Sequence, residues 1–327
     1  NIDGELIEEI GGEASPSTIN VNNGGVLRGF VSATGPLNVL NGGTVSPGFD
    51  FDSPRLTGIK VSSTQWSDDF LNFVDPVNGT GYSIPTGPDQ YNPMPWNNIN
   101  QVIFQFNEAV TGPGGAPLSA AGFGLFGSTE PDYSADPGFT LSYDPTNFEA
   151  TLTFADVIPE DSSFVTAWSD WIYDLSGNQL DGDWVDGVSS GSGNGTEGGD
   201  FIYTMNVLPG DWSRDGFVLS NDTSVITSLQ FENVSGGTPT ANYDPLADLD
   251  GNASILANDA SFAADHQFDV LPVPPAVPTP PPPPALFSAP RLTGIKVGSS
   301  QWSDDFLNFV DPVNGTGYSI PTGPDQY

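Results

Sequence analysis

Cysteine is absent from this chain of 327 residues, so neither a disulfide framework nor a thiolate metal site can be built. Stability outside the cell would have to come from apolar cores or from metal held by hard oxygen ligands. Positive charge is almost as scarce, with 6 Lys plus Arg against 41 Asp plus Glu and a formal net charge of −35. That field repels nucleic acid and anionic membrane, so neither is an expected partner, whereas small cations are. One histidine, His266, is all that a Ser/His/Asp site could use, and no nucleophile elbow accompanies it. His266 therefore reads as a surface residue. Acid pairs occur everywhere in so acidic a chain and do not single out a glycosidase, so the chain reads as a non-enzyme with no catalytic residues. No apolar run reaches the roughly 20 residues that a bilayer-crossing helix needs, and no stretch in this numbering is expected to be a signal peptide. Because the first residue is Asn rather than Met, the sequence is expected to be a mature or excised piece of an extracellular or cell-surface protein, with any anchor outside it.

What is abundant is glycine and proline, 39 and 31 residues, alongside Asn, Ser, Thr and aromatic side chains. Such a composition predicts many short strands joined by turns, hence a mainly β chain. Its most informative feature is a near-verbatim repeat. Residues 53–91 return as 289–327, a shift of 236 positions, with differences only at Ser53/Ala289, Ser62/Gly298 and Thr64/Ser300. Tandem modules that do the same mechanical job look like this. Four of the six basic residues, Arg55, Lys60, Arg291 and Lys296, lie inside the two copies, so the repeat is the least acidic part of the chain.

Five stretches follow from the pattern. Residues 1–52 contain Asn-Gly-Gly at Asn23 and again at Asn41, 18 positions on, about one coil of a β-solenoid. This arm resembles the Gly-rich repeats of parallel β-helical bacterial surface and autotransporter-like proteins; two unrelated turns in a strand-rich arm are the other reading. Residues 53–207 carry alternating runs, among them Val102, Phe104 and Phe106, then Phe139, Leu141 and Tyr143, then Leu152 and Phe154, and finally Phe201, Tyr203, Met205 and Val207. Period-two runs are half-buried strands facing one core, for which a sandwich is the economical arrangement. One short helix is predicted at Trp66–Asp75, with Trp66, Phe70, Phe73 and Val74 at helical spacing, Ser67 as N-cap, Asp68 and Asp69 in the first turn and Pro76 as the stop. Residues 208–270 hold two acidic loops, 271–288 are proline-rich, and 289–327 restart the 53–91 element.

The motif FNEAV at 106–110, followed by DLSGNQLDG at 174–182, resembles the bacterial Ig-like domains of S-layer proteins. Asp174, Gly177, Asn178 and Leu180 match the turn of that family, while Asn107 stands where Ser is usual. The longer run from PRLTGIKV to FIYTMNVLPGD is similar to a module of large secreted planctomycete-type proteins, commonly followed by a dockerin-like calcium module. The resemblance covers roughly residues 53–270. It implies an Ig-like β-sandwich, a small α-helical calcium module after it, and an extracellular setting.

Residues 211–222 and 248–259 each fit a twelve-residue calcium loop with ligands at positions 1, 3, 5 and 12 and the carbonyl of position 7. The expected ligands are Asp211, Ser213, Asp215, the Phe217 carbonyl and Asp222, then Asp248, Asp250, Asn252, the Ser254 carbonyl and Asp259, for two calcium ions. Gly216 and Ala253 occupy position 6, and Val218 and Ile255 at position 8 are expected to pair the loops. Val225, Ile226, Leu229, Phe262 and Phe268 are candidates for a mini-core. Ending in Asp and lacking an entering helix, both loops are similar to dockerin loops rather than EF-hands. Cellulosomal dockerins meet cohesins through positions 10 and 11. Here those are Ser220 with Asn221 and Ala257 with Asn258, which do not repeat a Ser-Thr pair, so cohesin is not an expected partner.

The run PVPPAVPTPPPPP at 272–284 reads as a polyproline II spacer, roughly 40 Å long at about 3.1 Å per residue. Covalent glycans have candidate positions at Asn78, Asn194, Asn233, Asn314 and Thr279. The leading functional expectation is a structural subunit of an extracellular filament or surface layer, self-associating through its repeated modules. In that scheme 289–327 either begins another domain or complements a neighbour by strand addition, with Arg291, Leu292, Thr293, Gly294, Ile295, Lys296 and Val297 taking the place of Arg55 to Val61. The alternative is a carbohydrate- or cell-wall-binding adhesin module, in which Trp66, Trp96, Trp168 or Trp171 would form a sugar platform rather than core.

Overall fold

A computed structural model of the chain describes residues 53–282 in full. It also describes short strands at Glu5–Ile7, Ile19–Val21, Val26–Arg28, Leu37–Val39, Thr44–Val45, Lys296–Val297 and Tyr318–Ser319. The chain divides into two compact units, residues 1–284 and 285–327. The described residues are mainly β, as composition predicts.

Strands of the first 52 residues pair in parallel. Glu5–Ile7, Val26–Arg28 and Thr44–Val45 form one sheet, and Ile19–Val21 pairs with Leu37–Val39 in another. Val26 lies opposite Thr44 and Ile19 opposite Leu37, each 18 positions on, the same interval as the two Asn-Gly-Gly motifs.

The larger architecture is built from two antiparallel sheets. In chain order its elements are β1 (Leu56–Ser62), α1 (Asp68–Val74), β2 (Tyr82–Ser83), β3 (Gln101–Phe106), β4 (Val110–Thr111), β5 (Phe123–Gly127), β6 (Thr140–Asp144), β7 (Glu149–Thr153), β8 (Asp161–Ala167), β9 (Tyr173–Asp174) and β10 (Phe201–Val207). One sheet has the order β6-β7-β3-β1-β2 and the other β5-β8-β10, while β4 pairs with β9. Their inner faces share one core, in which the Phe104 ring of the first sheet meets Phe123 of the second edge-on at 4.9 Å. Val102, Phe104 and Phe106 point into that core from one side, and Phe201, Tyr203, Met205 and Val207 from the other, as their alternation predicts. In β1 the register shifts between Leu56 and Gly58, and this bulge lets Leu56, Ile59 and Val61 all face inward.

Helix α1 forms where its caps demand. Ser67 Oγ accepts from Phe70 N at 3.2 Å, Asp68 and Asp69 sit in the positive first turn, and Asp75 closes the end before Pro76. Phe70 is buried on the inner face beside Trp66, with ring centroids 4.8 Å apart.

On the other face of β1, Lys60 is almost completely buried, and its Nζ lies 2.7 Å from Asp75 Oδ2 and 2.8 Å from Glu149 Oε1. Burial alone would raise the Asp75 pKa, but hydrogen bonds from Lys60, Thr80 and Asn78 outweigh it and hold the carboxyl well below its ordinary value. The turn 174–182 is equally well accounted for. Asp174 Oδ1 accepts from the backbone N–H of Ser176 at 2.8 Å and of Asn178 at 2.7 Å, Gly177 takes φ 94°, and Leu180 is fully buried.

After β10 come α2 (Ser220–Ser228), a hairpin of β11 (Val234–Ser235) and β12 (Thr238–Pro239), and α3 (Ala257–Asp265). No helix among the described residues is long and apolar enough to cross a membrane.

Candidate metal site and the face it docks on

The two acidic loops share one backbone design, repeated at an interval of 37 residues. Position 4 is left-handed in both, Arg214 at φ 62° and Gly251 at φ 66°, and so is position 6, Gly216 at φ 88° and Ala253 at φ 70°. Position 12 closes each loop in the same way, because Asp222 Oδ2 accepts from Leu219 N and Asp259 Oδ2 from Leu256 N, both at 2.8 Å. Those carboxylates also cap the first turns of α2 and α3.

Asp211, Asp222, Asp248 and Asp259 are all buried. In the second loop single carboxylate oxygens of Asp248, Asp250 and Asp259 lie within 4.8 Å of one another, a donor set suited to a hard cation. Burial pushes the Asp248 carboxyl up to about 7, helped by the charges of Asp259 and Asp250, even though Tyr243 donates its hydroxyl proton to Asp248 Oδ2 at 2.7 Å. Asp259 is raised for the same reason. In the first loop burial raises Asp211 to about 6 against the hydrogen bonds from Gly216 N and Arg214 N. Carboxylates buried this deeply beside other carboxylates are strained when ionised, and a divalent cation relieves that strain.

The first loop is less gathered than the second. Ser213 links its ends by donating from N to Asp222 Oδ1 and from Oγ to Asp211 Oδ1, but Asp215 is exposed and caps Phe217 N. Val218 and Ile255, expected to pair the loops through a small apolar contact, are both fully buried, and their backbones cross-connect the two halves. Val218 exchanges backbone hydrogen bonds with Phe268 and Asp269, whereas Ile255 does so with Phe231 and Glu232, so each loop pairs with the stretch that follows the other loop's helix. Phe268 consequently leaves the expected mini-core and is 79% exposed, with φ 80°; Ile226 is buried, and Leu229 and Phe262 pack at its margin.

Sequence reasoning missed the face on which these loops rest. Gly251 packs against Trp66 so closely that a Cβ there would lie 2.1 Å from Trp66 Cδ1. Its carbonyl accepts from Ser67 N at 2.9 Å, the Leu249 carbonyl from Asn97 N at 3.0 Å, and the Asp250 carbonyl from Asn98 Nδ2 at 2.7 Å. Asn98 in turn takes the Trp66 indole N–H at 2.8 Å. Phe73 of α1 meets Tyr243 edge-on at 5.1 Å, and Trp96 Nε1 donates to the Pro245 carbonyl. From the first loop, Arg214 reaches the carbonyls of Pro93 and Asn92 and the Tyr82 hydroxyl. Position 4 of each loop thus contacts the two-sheet region, and much of the contacted face, Trp66 to Phe73 and Tyr82, belongs to the repeated stretch. The sequence signals available were Gly251, beside the second loop's acids, and Arg214, a rare cation.

Other candidate residues lie elsewhere. Trp66, Trp96 and Trp168 are buried, so none offers an open platform to a sugar. His266 pairs with Asp269 at 2.7 Å at the partly exposed end of α3 and stacks on Phe262. The amide of Asn78 donates to Glu149, that of Asn194 to Asp183 and that of Asn233 to the Phe231 carbonyl. Thr279 is exposed. Of the expected assembly residues, Lys296 and Val297 form a strand, while Arg291, Leu292, Thr293, Gly294 and Ile295 lie outside the described residues, as does Asn314.

No protein family, no curated protein and no solved structure matches this chain.

Proposed function

We propose that the chain is a structural subunit of an extracellular filament, fibre or surface layer, built from repeated modules and stiffened by calcium. One observation carries the reading: the repeated stretch reuses its strand pairing as well as its sequence. Lys60 lies opposite Ser83 and Val61 opposite Tyr82, and 236 positions on Lys296 lies opposite Ser319 and Val297 opposite Tyr318. In the first copy this element is finished by residues from outside the 39, namely β3 along the other edge of β1 and Glu149 beside Lys60. The second copy needs the same complement. A following stretch supplies it in a string of modules, and a neighbouring subunit supplies it in head-to-tail strand addition.

The remaining parts fit a load-bearing role. Two parallel strand pairs 18 residues apart, with a third 21 apart, support a β-solenoid-like arm, and the two antiparallel sheets with the 174–182 turn support an Ig-like sandwich. The paired loops support a dockerin-like module in which Asp248, Asp250, Asn252, the Ser254 carbonyl and Asp259 hold one calcium ion. Asp211, Ser213, Asp215, the Phe217 carbonyl and Asp222 hold the other. Calcium supplies charge neutralisation there, and the protein's part is to keep each loop seated on the repeated face. Electron microscopy of the purified chain with millimolar calcium, and again with chelator, tests the proposal. Fibres or sheets that loosen on chelation are expected. A uniform monomer in both conditions sinks the structural-subunit reading, and native mass spectrometry that counts no calcium sinks the metal reading separately.

A further inference from the structure

The proline-rich stretch does not leave the protein as a free spacer at its first residues. Pro272, Pro275, Pro278 and Pro281 are half-buried, and every residue between them is exposed. A polyproline II helix has three residues per turn, so this period means that one edge of such a helix lies along the protein. The sequence has the same period. From 272 to 281 the half-buried register is proline at every third position, while Val273, Ala276 and Val277 fall on exposed positions and Thr279, also exposed, edges the groove described below.

The surface beneath belongs to the three-stranded sheet. Val165 and Ala167 of β8 face the core, so Phe164 and Trp168 face the opposite way, yet they are only 8% and 2% exposed. Phe126 of β5 lies beside Trp168, with ring centroids 6.3 Å apart. Phe126, Phe139 and Trp168 line a groove whose lining also includes Thr279 and Pro281. Upstream the stretch is fixed in place: Val270 pairs with Phe217, Leu271 N donates to the Gly216 carbonyl at 3.1 Å, and Ser128 Oγ donates to the Val273 carbonyl.

We propose that the groove formed by Phe126, Phe139 and Trp168, along β5 and the end of β8, is a polyproline-reading groove whose occupant is the chain's own segment 272–281, held as a releasable strap. Aromatic rings suit it because proline rings pack flat on them, and a polyproline II helix loses little conformational freedom on docking. Tethering keeps the groove filled against a free competitor, because the local concentration of a short tethered segment is of millimolar order.

Two triple variants of the full chain with equal proline loss separate this from a spacer that happens to lie nearby. Pro275→Ser, Pro278→Ser and Pro281→Ser change the inward edge; Pro274→Ser, Pro280→Ser and Pro282→Ser change the outward edge. The inward variant is expected to be cut by protease in the strap at least about tenfold faster than the outward one. It is also expected to bind a labelled peptide of residues 272–284 at least about tenfold more tightly than wild type does, because its groove stands open. Adding Phe126→Ser to the inward variant should abolish that binding. Equal cleavage of the two triple variants, no peptide binding to the inward variant, or binding that survives Phe126→Ser overturns the proposal.

Discussion

Lys60 shows what a single residue does in this fold. It is 2% exposed, and its ammonium is shared by two carboxylates from different elements, the end of α1 and strand β7. Removing the cation leaves Asp75 and Glu149 buried against each other, so Lys60→Met should cost about 3–5 kcal/mol of stability, with part recovered when Glu149→Gln is added. Urea unfolding of the two variants measures both effects. The pH dependence of this triad is opposite to that of the acidic loops. The depressed Asp75 pKa contributes stability that is present above the ordinary carboxylate value and is lost only as pH falls well below it. Asp211 and Asp248, raised to about 6 and about 7, favour the metal-free fold while protonated. That contribution is complete below about pH 4 and is lost as pH rises through about 7. Calcium needs the ionised forms, so its rise in melting temperature is expected to be several-fold larger at pH 7.5 than at pH 5. A calcium shift equal at both pH values would mean that Asp211 and Asp248 are not ligands.

At the scale of elements the decisive contact is between the second acidic loop and the segment around α1. Gly251 is favoured there by its left-handed φ of 66°, a conformation that Arg214 also adopts in the first loop, and required by the Trp66 indole that would occupy its Cβ position. Gly251→Ala should therefore weaken the docking by about 1–3 kcal/mol, seen as faster proteolysis near residues 208–212 with the two-sheet region still folded. Equal protection in wild type and variant would mean that the docking does not depend on this contact. This interface marks where the sequence stopped being legible. Alternation at 102–106 and 201–207, the caps of α1, the Asp174 turn and the twelve-residue spacing of the loops are local signals, and each appears in the fold. The crossed pairing of the loops and the seat provided by Trp66, Asn97 and Asn98 are long-range, made through backbone carbonyls that any residue carries, so no side-chain pattern announces them. The proline stretch read as polyproline II but not as docked, because Trp168 beneath it read as core or as a sugar platform and no pattern singled out Phe126.

For the whole molecule, the excess of 41 acids over 6 bases decides how copies can meet. Two surfaces of such charge repel at low ionic strength, and the repulsion is screened within about 10 Å at 0.1 M salt. The repeated stretch is the natural meeting point, since it carries four of the six bases, one of which is buried against acids in its first copy. If Lys296 is buried on assembly as Lys60 is within the chain, it must find a carboxylate in whatever completes its sheet. Assembly on that basis needs screening and needs that one charge. Sedimentation of the full chain in the presence of calcium should give monomers at about 10 mM NaCl and large species at about 150 mM, whereas Lys296→Glu should stay monomeric at both. The charge reversal sets two acids against each other in a site shielded from salt, so added salt should not rescue it. Large species formed by Lys296→Glu as readily as by wild type would show that the second copy's strand is not what joins the subunits.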